Sequence, residues 1–144
     1  MNSLSFHPSP AVDPMHLEIH FTAEPIVIPS CPLPSKEIGA LVEFHGIVRE
    51  LEDNKALPGL FYEAYEPMAR QVLERHLIEL GTLHPCQAVH FIHRTGWVPV
   101  GEASLYICVM SAHRGEALRF LADSIDRLKL DVPIWKRTTR PSGI

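Results

Sequence analysis

The chain is poor in cysteine and contains no long hydrophobic run. Its 144 residues include 3 cysteines, Cys31, Cys86 and Cys108, which are widely spaced and never arranged as CxxC. This spacing favours neither a disulfide framework nor a thiolate zinc site. No segment approaches the roughly 20 apolar residues of a membrane-spanning helix, and the N-terminus lacks the pattern of a signal peptide. We therefore expect a cytoplasmic protein with reduced cysteines.

Several common catalytic signatures are also missing. The sequence contains no HExxH zinc motif, no GxSxG nucleophile elbow, and no GxxxxGK[ST] or GxGxxG phosphate loop. The 9 histidines leave room for a metal site made of His90, His93 and His113. However, His90 and His93 are three positions apart in a predicted strand, which directs them to opposite faces. Support for a metal site is therefore weak, and we expect no bound metal or cofactor.

The composition indicates one globular domain with an uneven distribution of charge. Hydrophobic residues make up 46% and charged residues 21% of the chain, and the net charge is -4. Residues 1–88 contain 5 basic and 12 acidic side chains, a balance of -7, whereas residues 89–144 contain 8 and 5, a balance of +3. The second part is where we expect an anionic ligand. We assign residues 1–15, which carry three prolines, to a flexible leader and residues 16–144 to a single domain.

Hydrophobic periodicity predicts an α+β fold with helices against a mainly antiparallel sheet. The predicted strands are 16–22, 40–49, 60–65, 88–94 and 103–110, and the predicted helices are 66–81 and 115–131. Gly46 marks either a bulge or a close backbone approach in the second strand, and residues 50–59 are predicted to form a polar loop. The prolines in 24–35 argue against a helix there and favour an extended surface connection.

The stretch KLDVPIWK, residues 129–136, places two lysines on either side of a helix break. On a helical wheel Lys129 falls about 20° from Leu118 and shares the apolar stripe of the last helix, whereas Pro133 ends that helix. A lysine on a buried stripe is suited to acid–base or nucleophilic chemistry. The alternative is that Lys129 is a last-turn cation that complements the helix dipole.

Other cations lie at the predicted ends of strands. Arg49 ends the second strand, and His113 and Arg114 stand between a buried strand and the last helix. Backbone N–H groups at that helix start would add to an anion site. A phosphate or carboxylate pocket is the natural inference from these side chains.

Five phrases in this order resemble one family: GALVEFHGIVR, FYEAYEPMA, HRTGWVPVGEAS, SAHRGEA and IDRLKLDVPIWK. The stretch 39–136 is similar to the large, catalytic subunit of molybdopterin synthase. The resemblance implies an α/β-hammerhead-like fold and a sulfurtransferase that converts cyclic pyranopterin monophosphate to molybdopterin. It also implies a homodimer within a heterotetramer, in which a ubiquitin-like small subunit delivers sulfur as a C-terminal thiocarboxylate.

By position, the resemblance makes Lys129 and Lys136 the active-site lysines. It places Arg49 and Phe44 in the pocket and assigns His113 and Arg114 to the neighbouring protomer's contribution. We assign proton transfer at the pterin carbon to Lys129, the thiocarboxylate or developing oxyanion to Lys136, and the substrate phosphate to Arg49, His113 and Arg114.

Two alternatives come from other functional classes. The chain could be a non-catalytic module that binds the tail of a ubiquitin-like sulfur carrier, or a binding protein for a phosphorylated small molecule. A nucleic-acid role has the least support, because the chain is acidic overall and has no stripe of alternating basic and aromatic residues.

Overall fold

The computed structural model describes residues 15–140, which form two helices and nine strands. In chain order they are β1 His16–Thr22, β2 Ala40–Ile47, β3 Leu51–Glu52, β4 Lys55–Ala56, β5 Gly59–Ala64, α1 Glu66–Leu83, β6 Ala88–Arg94, β7 Gly96–Pro99, β8 Ala103–Ser111, α2 Arg114–Leu128 and β9 Ile134–Arg137. The predicted α+β class is confirmed. The leader assigned to 1–15 lies outside the described residues except for Met15.

The main sheet has four strands in the order β1-β6-β8-β2. β1 runs parallel to β6, and the other two pairings are antiparallel, as the mainly antiparallel prediction required. The register of β2 against β8 shifts between Gly46 and Ile47, which is the bulge expected at Gly46. Alternating side chains give this sheet two faces, and both faces of β8 are buried.

Both helices contribute to the core on one face of the main sheet. α1 buries Ala69, Leu73, His76, Leu77 and Leu80, which is the predicted inner face, but it continues through Gly81 to Leu83. The inner face of α2 was predicted in part, because Leu121, Ile125 and Leu128 of the spacing-derived stripe pack partly buried against the main core, but its fully buried residues are Ala117, Phe120 and Ser124. Leu118 is 52% exposed. The edge of the stripe that carries Leu118, Ala122 and Lys129 is therefore exposed to solvent in the single chain.

A second, three-stranded sheet has the order β7-β5-β9 and lies beside the end of β2. Hydrogen bonds join the two regions, because Val48 N–H donates to the Glu102 carbonyl and Gly101 N–H donates to the Val48 carbonyl. The predicted loop 50–59 contains the hairpin β3–β4, whose turn residues Asp53 and Asn54 have φ of 51° and 64°. Positive φ at both central positions is the geometry of a tight hairpin turn.

The proline-rich stretch 24–35 contains no helix or strand, as predicted. Ile26, Cys31 and Ile38 pack on the sheet face opposite the helices, against Tyr106 and Met110 among others. No helix within residues 15–140 is both long enough and apolar enough to cross a membrane.

Candidate active site

Lys136 lies in β9, where its backbone pairs with Tyr62 of β5. Its Nζ donates a hydrogen bond to Glu52 Oε1 at 2.6 Å. The Lys136 side chain is 53% exposed and that of Glu52 is 20% exposed, so the ammonium group remains accessible. The hydrogen bond from Lys136 lowers the pKa of the Glu52 carboxyl. An ammonium carries three donors, so this lysine can hold Glu52 and still donate to an anionic ligand.

Arg49 follows β2 and is exposed. Its positive charge also lowers the pKa of Glu52, although less than Lys136 does. The preceding residue, Val48, is 3% exposed and packs with Leu60 and Val98, which fixes the chain where Arg49 leaves the sheet. The structure therefore bonds Lys136 to the Glu52 carboxylate and leaves Arg49 near enough for its charge to act on that group, without a salt bridge between them.

Lys129 follows the last residue of α2 and is exposed. The predicted burial is wrong, and so is the predicted helix end at 131. The N–H groups of Lys129 and Leu130 bond to the carbonyls of Asp126 and Arg127, three residues back, so the helix tightens into a turn before Pro133. Lys129 thus lies at the C-terminal end of α2, where its positive charge complements the helix dipole, as the alternative interpretation proposed. An exposed lysine at this position can still take part in proton transfer.

The turn after Lys129 is held from two sides. Val132 is 6% exposed and belongs to the main core. Asp131 Oδ1 lies 2.5 Å from Nε2 of His76, a residue of α1 that is 7% exposed. The His76 ring also contacts Arg127 Nη1 at 2.9 Å through Nδ1. The exposed Lys129 is therefore followed directly by a stretch of backbone, at Asp131 and Val132, that packing and hydrogen bonding hold in place.

Phe44 lies in β2 and is half-buried against the main core, on the face that the helices cover. Its ring lies close to Gly46: a Cβ atom built on that glycine would be 3.3 Å from the Phe44 ring. Phe44 therefore supports the strand that leads to Arg49.

His113 and Arg114 lie at the opposite end of the main sheet. They line a recess of about 490 Å³ with Gly39, Ala112 and Gly115, where β8 gives way to α2. Ala40 pairs with Ser111 and Gly46 with Leu105, so six residue steps along β2 separate this end from the end that leads to Arg49. At about 3.4 Å per residue the two ends are ~20 Å apart. One chain therefore does not bring His113 or Arg114 to Arg49.

The path of α2 connects the two ends. The helix begins beside the recess, contacts β8 and β2, and its 15 residues rise about 22 Å. The chain then passes through Pro133, whose carbonyl accepts a hydrogen bond from Tyr65 N–H, into β9 beside Tyr62. Lys129 is thus on the path to the sheet that holds Lys136. The cations thus fall into two groups: Arg49 and Lys136, with Lys129 seven residues before Lys136 along the chain, and His113 with Arg114 at the other end of the sheet.

Sequence reasoning missed the residues that position these cations. Glu52 is 84 positions from Lys136, and His76 is 55 positions from Asp131, so no local pattern joins either pair. Helical spacing is enough to place His76 on the buried face of α1, but it does not reveal the contact with Asp131. Glu102 Oε1 accepts a hydrogen bond from Nη1 of the buried Arg94 at 2.8 Å, so it orients a cation outside the set described above.

The histidine set considered for a metal is not brought together. His90 and His93 lie on opposite faces of β6, as their spacing predicted. The His93 ring is buried, contacts the Arg94 carbonyl at 2.8 Å through Nδ1, and meets the Tyr62 ring edge-on. Burial lowers the pKa of His93. His113 is at the far end of β8, so a site made of His90, His93 and His113 is wrong.

Comparisons with known proteins agree on one family. The family model described as MoaE protein matches residues 21–131. The molybdopterin synthase catalytic subunit of Homo sapiens is 38% identical over 121 residues, covering 83% of this chain and 64% of that protein. The molybdopterin synthase catalytic subunit of Bacillus subtilis is 40% identical over 108 residues, covering 75% of this chain and 69% of that protein. The match thus spans somewhat less than two thirds of the human relative's length.

Solved structures give the same result. The molybdopterin synthase of Staphylococcus aureus superposes with a TM-score of 0.73 at 32% identity, covering 85% of this chain and 91% of that one. A complex of subunits 1 and 2 of the molybdopterin-converting factor from Helicobacter pylori contains a chain with a TM-score of 0.59 at 32% identity, covering 70% of this chain and 66% of that one. The chain therefore belongs to the MoaE protein family.

Proposed function

We propose that this chain is the catalytic subunit of a molybdopterin synthase, which converts cyclic pyranopterin monophosphate to molybdopterin by inserting two sulfurs. The observation that carries the proposal is the accessible ammonium of Lys136, held 2.6 Å from Glu52 beside Arg49 and linked to Lys129 by the anchored turn. Membership in the MoaE family and the names of the relatives support it.

The two lysines have different roles in this proposal. Lys129 transfers protons at the pterin carbon that receives sulfur. Lys136 directs its free N–H groups to the thiocarboxylate or to the oxyanion that develops as sulfur leaves. Arg49 holds the substrate phosphate, and Phe44 supports the strand that carries Arg49. These assignments fit accessible cations at a strand end, where a negatively charged substrate can reach them.

His113 and Arg114 complete the phosphate site of a second protomer. The separation of about 20 Å within one chain supports this assignment, because it excludes a pocket in which all five cations act together in a single protomer. A two-fold dimer in which each recess faces the other chain's Arg49 satisfies the geometry.

The proposed assembly is a homodimer of this chain with a ubiquitin-like small subunit at each end, operating in the cytoplasm. The Helicobacter pylori complex of two different subunits supports a small partner. Residues 16–144 act as one domain in this proposal, and the main core joins both helices, the four-stranded sheet and Ile134 of β9 within the described residues.

The test is to mix the purified chain with a thiocarboxylated small subunit and cyclic pyranopterin monophosphate, and to measure dithiolene product. We expect product formation that depends on the thiocarboxylate. Tail binding without product would contradict the proposed activity and favour the non-catalytic module. Binding of the pterin alone, with no response to the small subunit, would favour a simple phosphorylated-ligand-binding protein.

A further inference from the structure

The strand β1 presents three polar side chains on the sheet face opposite the helices. Ile19 is buried in the main core, and Leu17 and Phe21 pack against that core. The alternation of a strand therefore sends His16, Glu18 and His20 to the other face. Glu18 pairs in register with His90 of the neighbouring strand β6. A fourth polar side chain thus joins the row at its centre.

These side chains converge on the Glu18 carboxylate. Its Oε2 lies 2.6 Å from Nε2 of His90 and 3.5 Å from Nε2 of His20. His16 contacts the other oxygen, Oε1, at 3.1 Å. One ligand atom each from Glu18, His20 and His90 can be chosen so that all lie within 4.8 Å of one another. Ligands around a tetrahedral Zn²⁺, at 2.0–2.2 Å from the metal, are separated by roughly 3.4 Å. Small side-chain movements would therefore admit the ion.

His90 is prepared for a ligand role by its surroundings. Its side chain is 16% exposed, and Cys31 Sγ lies 3.1 Å from its Nδ1. A metal-bound histidine normally carries its proton on the other nitrogen and donates it to a nearby acceptor, which fixes the ring. Cys31 and His90 also line a cavity of about 530 Å³ that adjoins Glu18.

We propose that Glu18, His20 and His90 bind a Zn²⁺ ion that joins the edge strand β1 to β6, with His16 holding the second oxygen of the carboxylate. Two imidazoles and a carboxylate are ligands that suit Zn²⁺. The ion lies between Glu18 and Nε2 of His90, and the single proton of the neutral His90 ring sits on Nδ1, facing Cys31 Sγ. A water molecule fills the remaining coordination position. The site lies on the sheet face opposite the helices and is separate from the proposed sulfur-transfer residues.

The test uses the full chain without a purification tag, titrated with ZnCl₂ in a calorimeter. We expect one Zn²⁺ bound per chain. His20→Ala and Glu18→Gln should each weaken binding by more than about tenfold, since loss of even an outer partner of a ligand costs that much. Co²⁺ in place of Zn²⁺ should give visible absorption bands in the wild type that His20→Ala loses.

A matched control is available on the other edge of the same sheet. His45 lies 3.5 Å from Glu43, two positions away on β2, which reproduces the His20–Glu18 pair without a third ligand. His45→Ala should bind Zn²⁺ as the wild type does. Zn²⁺ should raise the melting temperature of the wild type and of His45→Ala but not of His20→Ala. Absence of binding, or equal binding by wild type and His20→Ala, would overturn the proposal.

Discussion

The Nζ atom of Lys136 lies 2.6 Å from Oε1 of Glu52 and joins strand β9 to the β3–β4 hairpin. The hairpin is a small element of two paired strands, and Glu52 stands immediately before its turn. The position of Lys136, a proposed catalytic residue, therefore depends on this hairpin. The hairpin itself contributes none of the proposed active-site cations. Glu52 acts in this account as a positioning residue for Lys136.

Replacing Glu52 by Gln tests that positioning role. The amide keeps the shape of the side chain but loses the charge, so Lys136 loses its charge-assisted hydrogen bond and samples more conformations. We expect the single-turnover rate of sulfur transfer to fall by about tenfold or more, because small errors in the position of a catalytic group are costly. Rapid-quench measurement of dithiolene product reports this rate.

Glu50→Gln provides the control for this change, because Glu50 is exposed and immediately precedes the hairpin. Its rate should equal that of the wild type. If Glu52→Gln also turned over at the wild-type rate, Glu52 would have no positioning role.

The Asp131–His76 hydrogen bond predicts a specific pH dependence of stability. The bond from His76 lowers the pKa of Asp131 below its ordinary value. A carboxyl with a lowered folded pKa stabilises the fold fully above its unfolded pKa, about 4, and this contribution is lost as the pH falls through the lowered value. Asp131→Asn should therefore be less stable than the wild type near pH 6, and the difference should shrink as the pH approaches about 3.

Urea unfolding of both proteins across this pH range measures the difference. Asp126→Asn, an exposed carboxyl in α2, serves as the control and should follow the wild type at each pH. A stability difference for Asp131→Asn that stayed constant with pH would mean that the ionised carboxylate is not what holds the turn after Lys129.

Strand alternation and helical spacing predicted most of the fold, but they could not predict which helix face is covered. Leu118 fits an inner stripe by spacing, yet it is 52% exposed, and the fully buried residues of α2 are Ala117, Phe120 and Ser124. Helical phase locates an apolar stripe, but the stripe's partner comes from tertiary packing. The same error affected Lys129. It was predicted to be buried because it lies on the same side of the helix as Leu118, and both residues are exposed.

The sequence also predicted the candidate active site only in part, because contacts between residues far apart in the chain leave no local pattern. Lys129, Lys136 and Arg49 stand out at the ends of elements, but Glu52 is remote in sequence from Lys136. The alternating polar residues of HLEIH in β1 can be seen in the sequence. The proposed metal site also needs His90, and only the parallel register of β1 and β6 sets His90 opposite Glu18. Register between distant strands is a property of the assembled sheet.

Separation of the two cation groups predicts complementation between inactive variants. Lys129→Ala and Arg114→Ala should each be inactive as homodimers. After exchange of subunits in an equal mixture, about half of the dimers are mixed and each contains one intact site, so about a quarter of wild-type activity should return. The measurement is dithiolene product after the mixture has been allowed to exchange.

A mixture of Lys129→Ala with Lys136→Ala is the matched control, because both lysines belong to the same group and every mixed site lacks one of them. This mixture should stay inactive. Failure of the Lys129→Ala and Arg114→Ala mixture to recover, with subunit exchange demonstrated, would contradict a site built from two protomers.

The most direct test of the account is sulfur transfer by Lys129→Ala. Lys129 is exposed, so its removal should change the free energy of unfolding by no more than about 0.5 kcal/mol, as Lys36→Ala, another exposed lysine, should also do. Dithiolene product from thiocarboxylated small subunit and cyclic pyranopterin monophosphate is then measured for both variants. The account predicts no detectable product with Lys129→Ala and wild-type turnover with Lys36→Ala. Near-normal turnover by a folded Lys129→Ala protein would contradict it.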